Sequence, residues 1–477
     1  MSFQDPPTLL SLAVQSLVKN EALAINALQE LPRELFPPLF KAAFTGRHTK
    51  ILKEMVGSWP LLCLPVGALM NVPDMSILQA VLDGVDMQLT GNFHPRKRKL
   101  QVLDLRNVHH HFWDVSAGPE DGDGSAETVC QKQKATRPHR YALRRRLKVV
   151  TDLCLQFDLE EHQTYFLQWA QERRCSLNLC CVKMQIRELP IHTVRKILQI
   201  FQPYCIEELE LNTGWTLSTL ACFTPCLGQM KNLRKLHLTL VHEKLFTFLR
   251  TSTDIQEKSV TKFISQFSKL NSLQHLNLTG LYFLTGHINE LLGCLKKPLV
   301  SFCISNCELS QSDLDYLPYC LNIFELKCLY IINIHLQYLC LEPLGFLLES
   351  VRHTLGCLAL KSCNMGEPHF KSLLPALSQC FHLTDVNFQE NELSLLSLKQ
   401  LLQHTSKLTQ LSYEMYPAPH ECYDDRGVIL SHRIEQFCPE VLDMLRAKRQ
   451  PKDINFVTTQ CSKCGIYYVY DLETQRC

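Results

Sequence analysis

The 477-residue chain lacks an excess of either charge: 49 Lys and Arg stand against 47 Asp and Glu, a formal net charge of +2. No bulk basic field therefore steers it onto DNA, RNA or an anionic membrane, and direct nucleic-acid binding is not expected. Long apolar runs are missing too. The stretch Pro60 to Met70 is short and proline-broken, and Met1 to Pro7 has neither a basic start nor a following apolar run. Neither a membrane anchor nor secretion is expected. Enzyme signatures are absent as well: no Walker loop, GxGxxG, HExxH, GxSxG or paired RING-type Cys/His array occurs. The chain is expected to be no enzyme, with no catalytic residue and no cofactor, and any chemistry would come from a partner.

What is present is core material, 46% apolar and 9% aromatic with 20% charged residues, which is the composition of a folded protein. The 23 cysteines are scattered and fall short of a disulfide scaffold, so reduced thiols and a cytoplasmic and/or nuclear location are expected.

From about residue 175 one phrase recurs: aliphatic, two variable, aliphatic, one variable, aliphatic. Instances begin at Ile206, Leu233, Leu273, Leu299, Leu321, Leu355, Leu383 and Leu408, spaced 27, 40, 26, 22, 34, 28 and 25 residues apart. This is the leucine-rich-repeat strand signature. Helical patterns lie between, such as Glu367 to Gln379 and a run after Ser394, a favoured N-cap. The expected fold is α/β, a solenoid of strand–helix repeats curved into a horseshoe, with an N-terminal helical cap. Cys307, Cys363 and Asn391 fall where a side chain bonds backbone in the turn after the strand.

The organisation predicted is a helical cap over 1–92, a detached repeat-like strand over 93–113, a disordered insertion over 114–140, a transition over 141–205, repeats over 206–420, and a C-terminal cap with a CxxC tail over 421–477. Within the last part, Pro439 is expected to interrupt the helical pattern of Ile434, Phe437, Val441, Leu442 and Leu445. Cys461 and Cys464 form CxxC, but four ligands are needed for structural zinc and no second pair follows, so no metal site is assigned. His109 to His111 are read as surface. Arg96 to Lys99 and Arg144 to Lys148 are basic clusters readable either by a nuclear import receptor or as solvated surface.

Two patterns in the cap go beyond capping. Thr8, Leu9, Ala13 and Leu17 place a hydroxyl, a leucine, a small residue and an aliphatic along one helical face, the arrangement of an elongin-binding box, with Ala13 where the commonest form has Cys. Leu31, Pro32, Leu35 and Leu39 follow the spacing of a cullin-selecting box. LQELPRELFPPLFKAAFTGRH, KLQVLDLR before FWDV, LGQMKNLRKL and the CSKCG tail then resemble the PRAME family of leucine-rich-repeat proteins, the cancer/testis antigen group, over almost the whole chain. The resemblance implies a substrate receptor of a cullin-2 RING ubiquitin ligase that binds elongin B and C through the two boxes. It also implies germline or early-embryonic expression, with roles in proliferation, differentiation, apoptosis and transcriptional repression. Alternatively, a ligase-independent scaffold or inhibitor acts by occupying its partner.

Strand alternation predicts the target-binding lining: Glu208, Glu210 and Asn212, then Lys235, His237 and Thr239, then His275 and Asn277, continuing to Lys361, Asp385, Asn387 and Gln389. Its mixed charge suits a protein target. The two functional readings part at Leu9, Ala13, Leu17, Pro32 and Leu35, which face inward in a scaffold and stay exposed in an adaptor.

Overall fold

A computed structural model describes residues 8–70, 74–90, 100–113, 146–240, 253–460 and 467–471. The predicted insertion, the cluster Arg96 to Lys99 and the Cys461/Cys464 pair lie outside these residues. The chain divides into two compact units, residues 1–184 with 192–206, and residues 185–191 with 207–477.

The first unit opens with five helices: α1 (Leu9–Val18), α2 (Glu21–Ala27), α3 (Phe36–Thr45), α4 (Thr49–Gly57) and α5 (Met75–Thr90). Side chains set the first two starts. Thr8 accepts from the Ser11 N–H at 3.2 Å and Asn20 from the Leu23 N–H at 3.1 Å, each satisfying an otherwise orphaned amide. Pro32 precedes a 3-10 turn over Arg33–Leu35, and Pro37 and Pro38 occupy the first turn of α3, where no helical N–H bond is required. Phe36, Phe40, Trp59 and Trp113 form the buried centre. Phe40 meets Trp59 edge-on at 5.4 Å and stacks on Trp113 at 5.5 Å. The two indoles donate to the carbonyls of Cys63 and Pro65, each at 3.0 Å.

Strands β1 (Cys63–Leu64), β2 (Val102–Asp104) and β3 (Lys148–Leu155) pair in parallel, Cys63 opposite Val102 and Val102 opposite Lys148. The strand expected to be detached is therefore held on both sides. The helix Glu161–Arg173 separates β3 from β4 (Asn178–Arg187), and Ile191–Leu198 follows.

The second unit is a leucine-rich-repeat solenoid. Its strands β5 (Glu208–Thr213), β6 (Lys235–Leu240), β7 (His275–Thr279), β8 (Ser301–Ser305), β9 (Cys328–Ile332), β10 (Cys357–Lys361), β11 (Asp385–Asn387), β12 (Tyr413–Pro417) and β13 (Ile454–Val457) are parallel in chain order. β14 (Val469–Tyr470) closes antiparallel on β13. In-register Leu209, Leu236, Leu276, Phe302, Leu329, Leu358 and Val386 are all buried, so one apolar row runs from repeat to repeat.

Two repeats start elsewhere than the phrase implies. Leu321 lies in a 3-10 turn, Leu321–Ile323, with 74% of its surface exposed, and the strand follows from Cys328. Register places the true start at buried Leu326, which turns the spacings of 22 and 34 into 27 and 29. Likewise Asp385 pairs with Tyr413, moving the start from Leu408 to Leu411. There the core position that is apolar in the other repeats is Glu414, fully buried. A carboxylate in the apolar slot hides the phrase, while the preceding helix end imitates it.

After each of β7 to β11 the chain turns sharply. Asn306, Asn333, Ser362 and Glu390 have φ between 50° and 56°, and Gly280 at 74° takes the same role after β7. A Cβ on Gly280 would stand 2.4 Å from the Leu240 carbonyl oxygen, so only glycine fits. The turn brings backbone into the core, where the expected side chains meet it. Asn391 donates to the carbonyls of Leu360 at 2.7 Å and Phe388 at 2.9 Å, and accepts from Met365 N–H at 3.0 Å. The Cys363 thiol donates to Ile331 O at 3.3 Å, and the Cys307 sulfur accepts from Leu281 N–H at 3.2 Å.

Helices start as read: Glu367–Leu377, and Leu395–Thr405 capped by Ser394, which accepts from Ser397 N–H at 3.2 Å. Pro439 does not interrupt its helix. Ser431–Arg446 is continuous, because buried Ile434, Cys438, Val441, Leu442 and Leu445 anchor both sides of the proline. Beyond it Arg449 returns to Glu414 as a bidentate pair at 2.7 and 2.5 Å, and the Tyr416 hydroxyl donates to the same carboxylate at 2.9 Å. Removing one member leaves an uncompensated buried charge. Arg449→Met is expected to destabilise the second unit by about 3–5 kcal/mol in denaturant melts. The double change Glu414→Leu with Arg449→Met should recover most of it; no recovery would refute the account.

Candidate functional site: two interaction surfaces

The first surface is on the helical packet of unit one. The periodicity of α1 implies one core-facing stripe, yet Val18 is the only residue of the helix that is buried. Leu9 is 87% exposed and Leu12 47%, Ala13 is exposed, and Leu17 is half-buried. Thr8 is engaged as the helix cap and is exposed. Leu23 of α2, 55% exposed, was not among the expected residues. Beside this face α1 and α3 border a groove of about 730 Å³ lined by Leu10, Val14, Pro38, Ala42 and Trp113 among others. Of the second box, Pro32 is exposed, Leu31 and Leu35 are half-buried, and Leu39 is buried at 1% exposure. Leu39 is thus no surface contact: the α3 turn that carries it points it into the core alongside Phe36 and Phe40.

The second surface is the strand face of unit two that carries the alternate, partly exposed side chains. Register sets two rows. One runs Glu208, Lys235, His275, Ser301, Cys328, Cys357, Asp385, Tyr413; the other runs Glu210, His237, Asn277, Cys303, Tyr330, Ala359, Asn387, Met415. Glu208, Glu210, Lys235, His237, His275, Asn277, Asp385 and Asn387 therefore share this face, and Lys361 joins them two residues beyond Ala359 on β10. Gln389 does not. β11 ends at Asn387, alternation stops, and Gln389 is buried with its N–H on the Asn387 side-chain oxygen at 3.1 Å.

In the middle of the face stand Cys303, Cys328, Tyr330 and Cys357; Cys328 and Tyr330 were missed because the phrase at Leu321 was out of register, with even repeat spacing as the signal for them, whereas Cys303 and Cys357 hold alternate positions in the correctly placed phrases at Leu299 and Leu355. Burial pushes the Cys303 thiol up to about 12, and burial with the neighbouring Cys328 pushes Cys357 up to about 11. Burial, and then a hydrogen bond with Cys328, raises the Tyr330 phenol. At neutral pH Cys303, Cys357 and Tyr330 stay protonated, so they present uncharged contact groups and no thiolate. Its charges lie to either side and are largely matched. Lys235 meets Glu208 at 2.7 Å, Gln185 donates to Glu210 at 2.7 Å, and Lys361 stands 3.4 Å from Glu390. Among the described residues no group of three His, Cys, Asp or Glu side chains is placed to hold a metal ion, and no helix is long and apolar enough to cross a membrane.

Profiles of known domains divide the chain in two. One described as the PRAME N-terminal domain matches residues 6–113, and one described as the PRAME C-terminal domain matches residues 147–477. Oogenesin-3 of Mus musculus is 56% identical, covering 100% of this chain and 95% of that protein. Oogenesin-2 of Mus musculus is 47% identical with 100% and 98% covered, and PRAME family member 12 of Homo sapiens is 43% identical with 100% and 98% covered. Among solved structures, the leucine-rich repeat-containing protein LegL7 from Legionella pneumophila is 15% identical, covers 66% of this chain and 92% of that one, and aligns with a TM-score of 0.37.

The two histidines of the strand face give a pH test. Burial holds His237 below its ordinary value against the opposing pull of Glu210; burial and then Lys235 do the same to His275, opposed by Glu208. As pH falls below about 6.5 the unfolded chain takes up these protons first, so stability is present above that pH and is lost toward the depressed folded values. Imidazole NMR titrations should show both midpoints below 6.5. His237→Gln with His275→Gln should flatten the acid limb of the stability curve; an unchanged limb would contradict the assignment.

Proposed function

Because this chain belongs to the PRAME family, whose profiles span both of its units, we propose that its repeat scaffold serves as a substrate adaptor of a cullin-2 RING ubiquitin ligase. In this reading Thr8, Leu9, Ala13 and Leu17 dock elongin C in its complex with elongin B. Leu31, Pro32 and Leu35 select cullin-2, and the strand face of unit two holds a protein target. The supporting observation is the exposure of Leu9, Leu12 and Ala13. A helix serving only to cap a repeat solenoid turns its leucines inward; this one leaves an apolar stripe in solvent, as a helix-in-groove ligand does. Leu39 then acts from inside, fixing the turn on which Leu31, Pro32 and Leu35 stand.

The mechanism is geometric. Ubiquitin transfer chemistry belongs to the partner RING subunit and its conjugating enzyme, and the adaptor raises the effective concentration of target lysines at that centre. Target choice rests on the strand face. Its matched flanking charges and uncharged centre suit a protein surface better than a phosphate backbone. Action in the cytoplasm or nucleus, and effects on proliferation, differentiation, apoptosis or transcription, would follow from the target held. The rival reading, a scaffold that inhibits by occupying its partner, draws on the partial burial of Leu17 and Leu35.

Affinity capture of the full chain from cells separates the two. The native protein should retain elongin B, elongin C and cullin-2, and the Leu9→Ala, Pro32→Ala double variant should lose at least about tenfold of that signal with an unchanged melting temperature, since both side chains are outside the core. Absence of all three partners from the native capture would remove the adaptor reading.

A further inference from the structure

Cys180 and Cys205 approach more closely than their neighbours require. Cys180 lies in β4 and is buried; Cys205 ends the 3-10 turn Pro203–Cys205 and is partly exposed. The Cys205 thiol donates to the Cys180 sulfur at 2.6 Å. The two sulfurs lie side by side, inside the spacing of about 3.5–4.0 Å at which non-bonded heavy atoms rest, so the pair is within reach of a disulfide. Backbone fixes the approach: Gln202 N–H donates to Leu179 O at 3.1 Å and Cys205 N–H to Gln202 O at 3.0 Å, tying the turn to the strand beside Cys180. Cys181, next along the strand, projects to the opposite side and hydrogen-bonds Lys183 O at 3.2 Å, so it does not compete.

We propose that Cys180 and Cys205 are a redox modification site, an outer thiol that meets a peroxide and an inner thiol that resolves it into a reversible disulfide. The Cys205 thiolate attacks one peroxide oxygen, the O–O bond breaks, and the departing hydroxide leaves as water, giving a sulfenic acid. The Cys180 sulfur then displaces hydroxide from that sulfenic sulfur, its proton leaving with the hydroxide as a second water. In sum two thiols and one hydrogen peroxide give one disulfide and two waters. Hydrogen bonding to Cys205 and burial hold the Cys180 thiol well above its ordinary value, which suits the resolving member and not the first attacker. In a reducing compartment such a pair rests as thiols and closes only under oxidant. Closure links the turn to β4 and encloses the helix Ile191–Leu198 in a covalent loop.

The test treats the full-length protein with hydrogen peroxide, then unfolds it in alkylating reagent and maps peptides without reduction. The expected result is a cross-linked peptide joining Cys180 to Cys205 that dithiothreitol reverses, with a rise in melting temperature that Cys205→Ser abolishes. Cys175, Cys222 and Cys340 are exposed and report that oxidant reached the protein. Should Cys180→Ser fold poorly, Cys205→Ser on the partly exposed turn carries the same test. Full alkylation of both thiols while those three are oxidised would overturn the proposal, as would stable sulfenic or sulfinic acid on Cys205 beside an alkylated Cys180.

Discussion

A solenoid that reverses its chain after every strand forces backbone amides and carbonyls into an interior built of leucine, and those groups must be bonded or the repeat does not form. Asn391 meets that demand in one repeat by bonding carbonyls of its own turn and of the one before, and Cys363 and Cys307 do it with a thiol in others. Because these bonds cross from repeat to repeat, each turn fixes its neighbour's position as well as its own. The in-register leucine row and the two rows of the strand face follow from that spacing.

The two surfaces have different physical characters. The α1 stripe is apolar and unmatched, so binding there gains from removing area from water. The strand face has neutral thiols and a phenol at its centre, with charges already engaged by one another at either side. A partner on that face must match shape and exchange existing ion pairs for new ones, which favours discrimination over raw affinity.

Much of this was legible in the sequence, for local reasons. The repeat period, the cap at Ser394, and the core-facing Cys and Asn positions are set by residues within a few positions of one another. The failures share a cause in tertiary context. Leu321 matched the phrase but sits in a 3-10 turn, and Leu408 matched while the real repeat concealed itself behind Glu414. Burial of a carboxylate depends on Arg449, 35 residues away, which no periodicity signals. In the boxes, spacing put Leu9, Ala13 and Leu17 on one face of a helix but could not say which way that face points. Gln389 and Leu39 went inward for opposite reasons, a strand that stopped early and a helix that turned its leucine to the aromatic centre. The closeness of Cys180 and Cys205 depends on the return of the chain after the helix Ile191–Leu198, and so was invisible to spacing.

The Glu414–Arg449 pair also acts as a proofreader of chain length. At the in-register core position the earlier repeats from β5 to β11 carry an aliphatic or aromatic side chain, which needs no counter-charge from further along the chain. Its carboxylate makes the β12 repeat different: it is complete only once the chain has passed the helix Ser431–Arg446 and delivered a guanidinium from beyond it. A product ending before Arg449 would carry every strand through β12 and still hold an unanswered charge at its end. Quality control that senses local opening could discard such a fragment while sparing the full-length chain, although the two share all of their repeats up to that point.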